Sequence, residues 1–150
     1  MTVHLIVIAN AVQARLYTRA REHEPLVALP SLTHPEGHLK ASALGDDRAG
    51  HGGADVGRHG TTFGKRLDPH RKEHLHFAGE VARRIDALIA QGACGALTLL
   101  AASPFLGELM AALGTHALER LTRAVDIDLT HFGLPEIEQR LAAMHATAHP

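Results

Sequence analysis

Between Pro35 and about Asp68 the alternation of apolar and polar residues that organises the rest of the chain stops, and no other feature constrains the fold as much. The stretch holds eight of the 14 glycines, at positions 37, 45, 50, 52, 53, 57, 60 and 64. Structureless loops beyond about 12 to 15 residues are uncommon inside compact domains, and this one is roughly twice that length. It separates a strand-patterned beginning from a remainder in which helices and strands alternate. A chain of 150 residues closes one hydrophobic core comfortably and two poorly, so the expectation is a single domain over 1–150 with a long loop at about 35–68.

The strand-patterned part begins with the β-branched run through Val3, Leu5, Ile6, Val7 and Ile8, which stops at Ala9-Asn10. Ala14 to Thr18 resumes after a short break, as in a hairpin. Leu26 to Leu32 reads as a third antiparallel strand. Beyond the loop, Asp68-Pro69 supplies an N-cap and a first-turn proline. Leu75, Ala78, Val81, Ala82, Ile85, Leu88 and Ile89 then recur at helical spacing up to Gly92. Glu80 and Arg84 fall at i,i+4 on the polar face of that helix. Ala96 to Ala101 is continuously apolar, as a central strand covered on both faces should be.

Ser103-Pro104 repeats the cap-and-proline signal for a helix to Leu113. Thr115 to Arg123 reads as a short helix, Ala124 to Leu129 as the last strand and Pro135 to Met144 as the closing helix. The order β-β-β-long loop-α-β-α-β-α predicts an α/β fold with a mixed sheet and helices on its faces, as in ribonuclease-H-like architectures.

Composition removes several functions. A formal net charge of -1 provides no global field for nucleic acid or anionic lipid, so double-stranded DNA is not an expected partner and any basic site must be local. Aromatic residues make up 3% of the chain, too few for a platform on which unpaired bases stack. One cysteine, Cys94, fits a reducing cytoplasm. Met1 to Ile8 lacks the cationic start of a secretory leader, and the apolar run from Ala96 to Ala102 is far short of the roughly 18 to 20 residues of a membrane helix.

Five blocks spread along the chain resemble the bacterial host-attachment protein family. They are Ala9-Asn10-Ala11 with Ala14-Arg15-Leu16-Tyr17; Asp47-Arg48-Ala49-Gly50 with Gly57-Arg58-His59; Asp68-Pro69 with Phe77-Ala78; Ala101-Ala102-Ser103-Pro104-Phe105-Leu106-Gly107; and Asp128-Leu129-Thr130-His131. The resemblance implies a link to bacterial attachment, without an agreed biochemical activity. The family is similar, more distantly, to the middle domain of archaeal and eukaryotic peptide-chain release factors. That domain is ribonuclease-H-like and carries a Gly-Gly-Gln tip in a long loop between its third strand and first long helix. The same place here holds Gly52-Gly53-Ala54. The Gln of that tip helps position water for peptidyl-tRNA hydrolysis, whereas an Ala side chain offers neither donor nor acceptor. The resemblance therefore implies docking without hydrolysis.

Val56 to Lys72 carries Arg58, Lys65, Arg66, Arg71 and Lys72 against Asp68 alone. Together with Arg48 and His59, these cations suit contacts to phosphate, the glycines letting backbone N–H groups approach an anion. The expected partner on this reading is a ribosome or tRNA; the bland alternative is a solvated, charged loop. A protein partner on which the loop orders is a second reading.

His70-Arg71-Lys72-Glu73-His74 matches the inverted zinc-protease spacing HxxEH but has no evident third ligand, so catalysis is not expected from it. His70 and His74 could hold an adventitious or regulatory divalent metal, and no other cofactor is expected. The histidines at 34, 38, 51 and 59 read as polar loop residues. Nuclease chemistry would need carboxylates converging on metal ions; the first strand has none, and Asp126 and Asp128 do not make such a cluster.

Overall fold

The computed structural model describes residues 3–34 and 69–148. They form the expected mixed α/β arrangement, with one six-stranded sheet and four helices. Strand β1 (His4–Ala9) pairs antiparallel with β2 (Gln13–Arg19) on one side and parallel with β5 (Ala96–Ala101) on the other. Two short strands, β3 (Val27–Ala28) and β4 (Leu32–Thr33), both pair antiparallel with β2. The path β3-β2-β1-β5 ends on β6 (Leu121–Val125), parallel to β5.

The central position of β1 follows from its composition. Residues 5–9 are all apolar and all at most 1% exposed. Successive strand side chains point to opposite faces, so a strand apolar at every position must be covered on both. Leu5, Val7 and Ala9 enter one cluster with Leu16, Leu97 and Leu99, and Ile6 and Ile8 enter another with Tyr17 and Leu100.

The first cluster is covered by helix α1 (Pro69–Ala90) through Phe77, Val81 and Ile85, by α2 (Phe105–Ala112) through Phe105 and Leu109, and by α3 (Thr115–Arg120) through Ala117. The second is covered by α4 (Leu134–Ala148) through Ile137 and Leu141. Each fully buried Leu or Ile contributes about 1.5 to 3 kcal/mol relative to exposure.

Helix α1 stops where Gly92 adopts φ 75°, a left-handed conformation that favours glycine. The Gly92 amide donates to the Ile89 carbonyl at 3.0 Å and the Ala93 amide to the Leu88 carbonyl at 3.2 Å, closing the helix end in a Schellman motif.

Three expectations change. The third strand, expected over Leu26 to Leu32, is split, because Pro30 can give no amide to a ladder; Leu29 still donates to the Leu16 carbonyl at 2.9 Å. The last strand spans Leu121–Val125 rather than 124–129, entering with an irregularity between Leu97 and Thr98 of its partner. Residues 126–130 leave the ladder for side-chain hydrogen bonds. Ser103 does not cap α2: Pro104 is the N-cap residue, and the Ser103 hydroxyl donates to Asp126. The Asp68 cap lies outside the described residues.

Candidate functional site

Where the chain leaves β4 and where it re-enters as α1, the two ends are tied together. His34, 6% exposed, donates its backbone amide to the Val12 carbonyl at 2.8 Å, which continues the β4 pairing. Its ring stacks on Phe77 of α1 with centroids 5.3 Å apart, and Nε2–H donates to Glu73 Oε1 at 2.8 Å. Glu80 Oε1 approaches Nδ1 at 3.8 Å and also faces His76 Nε2 at 3.9 Å. A buried imidazole with a carboxylate on one nitrogen and a ring on its face has little freedom.

This corrects two readings. His34 is not a solvated loop residue but is buried just past β4, and Glu73 turns to it. Glu80 likewise faces histidines rather than Arg84, whose Nε is buried without a hydrogen-bond partner.

The other expected site residues divide by position. Arg48, Gly52, Gly53, Ala54, Arg58, His59, Lys65 and Arg66 lie outside the described residues, as do the histidines at 38 and 51. Arg71 is exposed in the first turns of α1, with Nε 4.0 Å from Glu108 Oε2 on α2. His70 lies in the same first turn, and its side chain is outside the described set. His74 is half-buried. Among the described residues no group of three His, Cys, Asp or Glu side chains is placed to hold a metal ion. Cys94 is 4% exposed, and burial pushes its thiol pKa up.

A second polar assembly, not anticipated from the sequence, sits past the C-terminal ends of β1, β5 and β6. Open α/β sheets commonly bind ligands at such an edge. Asn10 Oδ1 accepts from the amides of Val12 and Gln13 at 2.9 and 3.0 Å, shaping the β1–β2 turn. Its Nδ2 donates to Thr130 Oγ1 at 3.0 Å and to Asp128 Oδ2 at 3.3 Å. Asp128 Oδ1 accepts from the amide and hydroxyl of Thr130 at 2.8 and 2.6 Å. Arg15 Nη1 donates to the carbonyls of Thr130 and Phe132 at 3.1 and 2.6 Å.

Beside it, Asp126 accepts from the amide and hydroxyl of Ser103 at 2.9 and 2.8 Å. Those two bonds, the amide first, hold the Asp126 carboxyl below its usual range. Burial acts against ionised Asp128, but the Thr130 and Asn10 hydrogen bonds and nearby His131 outweigh it, and its pKa also lies low. Both carboxylates thus accept hydrogen bonds within the fold. Asn10, Ser103, Asp128 and Thr130 all stand in the blocks that carried the family resemblance, which was the one sequence signal pointing to them.

Fold and side-chain assembly define a mixed α/β domain in which a long segment leaves and returns at one clamped point. The model of the family described as "Protein required for attachment to host cells" matches residues 5–141, and the chain belongs to that family. No curated protein matches it. Among the solved structures 18 chains match. One, titled "Archaeal protein", is similar at 12% identity and a TM-score of 0.45, over 97% of this chain and 38% of that one. The chain therefore spans well under half the length of that structure. No helix among the described residues is long and apolar enough to cross a membrane.

Proposed function

We infer that the chain is a non-enzymatic docking domain, release-factor-like in architecture, which contacts RNA of the translation machinery through the basic, Gly-rich segment 35–68. The observation that carries this reading is the clamp: His34 and Glu73, 39 positions apart, meet at 2.8 Å, so the segment enters and leaves at one fixed place. The cations Arg48, Arg58, Lys65 and Arg66, with His59, belong to that segment, and Arg71 stands exposed just past its return. The strand order, with an antiparallel meander joined to parallel β5 and β6, supports the ribonuclease-H-like side of the reading. Gly52-Gly53-Ala54 is consistent with docking rather than hydrolysis.

Sedimentation of the protein with bacterial ribosomes and with tRNA, at low and high salt, tests the proposal. Binding should fall as salt rises, and an Arg58/Lys65/Arg66 to Ala variant should lose most of it. If three phosphate contacts are removed, the dependence of log affinity on log salt should flatten by about 2 to 3. Wild-type binding by that variant, or no co-sedimentation at either salt, overturns it. Salt-insensitive capture of a protein with no RNA signal would favour a protein partner instead.

A further inference from the structure

Helix α4 covers only part of its face of the sheet. Toward the N-terminal ends of β1 and β5 a cavity of about 370 Å³ remains, lined by His4, Ile6, Arg19, Thr98, Arg123 and Leu141, with Glu22 and Thr122 also present. A second cavity of about 230 Å³ shares Arg19, Glu22 and Leu141 with it. The strand register explains the lining. Arg19 pairs with His4 across β2 and β1, Ile6 pairs with Thr98 across β1 and β5, and Thr98 pairs with Arg123 across β5 and β6. Polar residues thus step across four strands, the Arg19–His4 pair lying two positions from the Thr98–Arg123 pair, where apolar residues would be expected beneath a helix. Three strand spacings of about 4.8 Å and an offset of two residues along the strands put the backbones bearing the two arginines roughly 16 Å apart.

Arg19 Nε is buried and has no hydrogen-bond partner, and among the described residues neither Arg19 nor Arg123 is ion-paired with a carboxylate. A buried donor left unpaired is costly and asks for an acceptor. The field of Arg19 is felt by His4, whose pKa is lowered by burial and then by that guanidinium, with Glu22 opposing. Glu22 does not supply the missing acceptor to Nε, which remains without a hydrogen bond although both residues line the cavity. Thr98 brings a hydroxyl between the cations, and Ile6 and Leu141 an apolar floor.

We propose that this groove is a binding site for a small molecule carrying a phosphate group, the oxyanion held by Arg19 and Arg123 with Thr98, and the remainder lying on Ile6 and Leu141. Guanidinium forks match phosphate geometry, and two such groups facing one cavity fix both position and charge. The volume exceeds what one inorganic phosphate fills and falls within the range of small-molecule sites. This site lies on the opposite sheet face from α1, and its failure would leave the proposed docking through 35–68 untouched.

The test is titration of the full-length protein, followed by backbone amide NMR shifts, with inorganic phosphate in one arm and a simple phosphate monoester in the other. Saturable shifts confined to the strand ends around His4, Arg19, Thr98 and Arg123 are expected. Arg19→Gln and Arg123→Gln should each weaken binding about tenfold or more. Arg83→Gln, on the exposed surface of α1, should leave it unchanged, and Glu22→Gln should tighten it. Tighter binding of the monoester assigns an organic phosphate, and equal binding of both assigns free phosphate. Absence of saturation at tens of millimolar, or equal binding by both arginine variants, overturns the proposal.

Discussion

The two ends of the central strand handle polar groups in opposite ways. At the C-terminal end of β1, Asn10, Asp128 and Thr130 satisfy one another and the β1–β2 turn. At the N-terminal end, about 20 Å away by strand rise, Arg19 Nε is buried with no partner. A closed network spends its hydrogen bonds on holding loops in place and has little left for a ligand. An open one keeps an unpaid cost that a ligand can remove. Position alone would have ranked the first end as the site, because ligands favour the C-terminal edge of parallel strands. The state of the hydrogen bonds points to the second.

The sharpest way to break this contrast is Asn10→Ala. It removes two acceptor contacts to turn amides and two donor contacts to Thr130 and Asp128, and should lower unfolding stability by about 2 to 4 kcal/mol. Chemical denaturation measures this, and a loss below about 0.5 kcal/mol would mean that the network is ornamental. His34→Ala should follow at about 2 to 3 kcal/mol, since it removes a hydrogen bond to a charged group and a buried ring stacked on Phe77. The same variant sharpens the docking proposal: if the clamp presents the 35–68 segment, ribosome binding should weaken under conditions where the variant remains folded.

Acid titration gives a smaller effect with a definite sign. The folded pKa of Asp128 lies below its ordinary value. Its contribution is therefore fully present above the unfolded carboxylate range near about 4, and is lost as pH falls through the folded value. Asp126 is depressed in the same direction by Ser103. Asp128→Asn should lower stability at neutral pH and flatten the acid limb of the stability curve. An unchanged acid limb would show that its hydrogen bonds to Thr130 do not distinguish folded from unfolded chain.

How much of this was legible in the sequence follows from the range of each interaction. Strand β1 and helix α1 carry their periodicity within a single window, and both stand where the pattern put them. The last strand was displaced because Ala124-Val125-Asp126-Ile127-Asp128-Leu129 alternates like a strand. Those aspartates are instead drawn out of the ladder by Ser103, Thr130 and Asn10. The bond between Asn10 and Thr130 joins residues 120 positions apart, and that between His34 and Glu73 joins residues 39 apart. No local pattern marks either. A histidine at the start of a Gly-rich stretch looks like loop until the helix that covers it is in place. The polar residues Arg19, His4, Thr98 and Arg123 escaped for the same reason, since four strands contribute one residue each and only the sheet register sets the Arg19–His4 pair near the Thr98–Arg123 pair.

The smallest effect carries the contrast furthest. In the absence of ligand, Arg19→Gln should leave stability unchanged or raise it by up to about 1 kcal/mol, because the buried Nε it removes makes no bond to lose and its desolvation cost goes with it. Added phosphate monoester should raise the wild-type melting temperature, since a ligand that binds only the folded state stabilises by RT ln(1 + [L]/Kd), about 2.7 kcal/mol at a hundredfold excess over Kd. The variant should not respond. Asn10→Ala should show the reverse, with a large loss of stability and an undiminished response to ligand. If both variants instead lost stability alike and neither changed the response to phosphate, the two ends of β1 would be equivalent structural clasps, and Arg19 would serve the fold rather than a ligand.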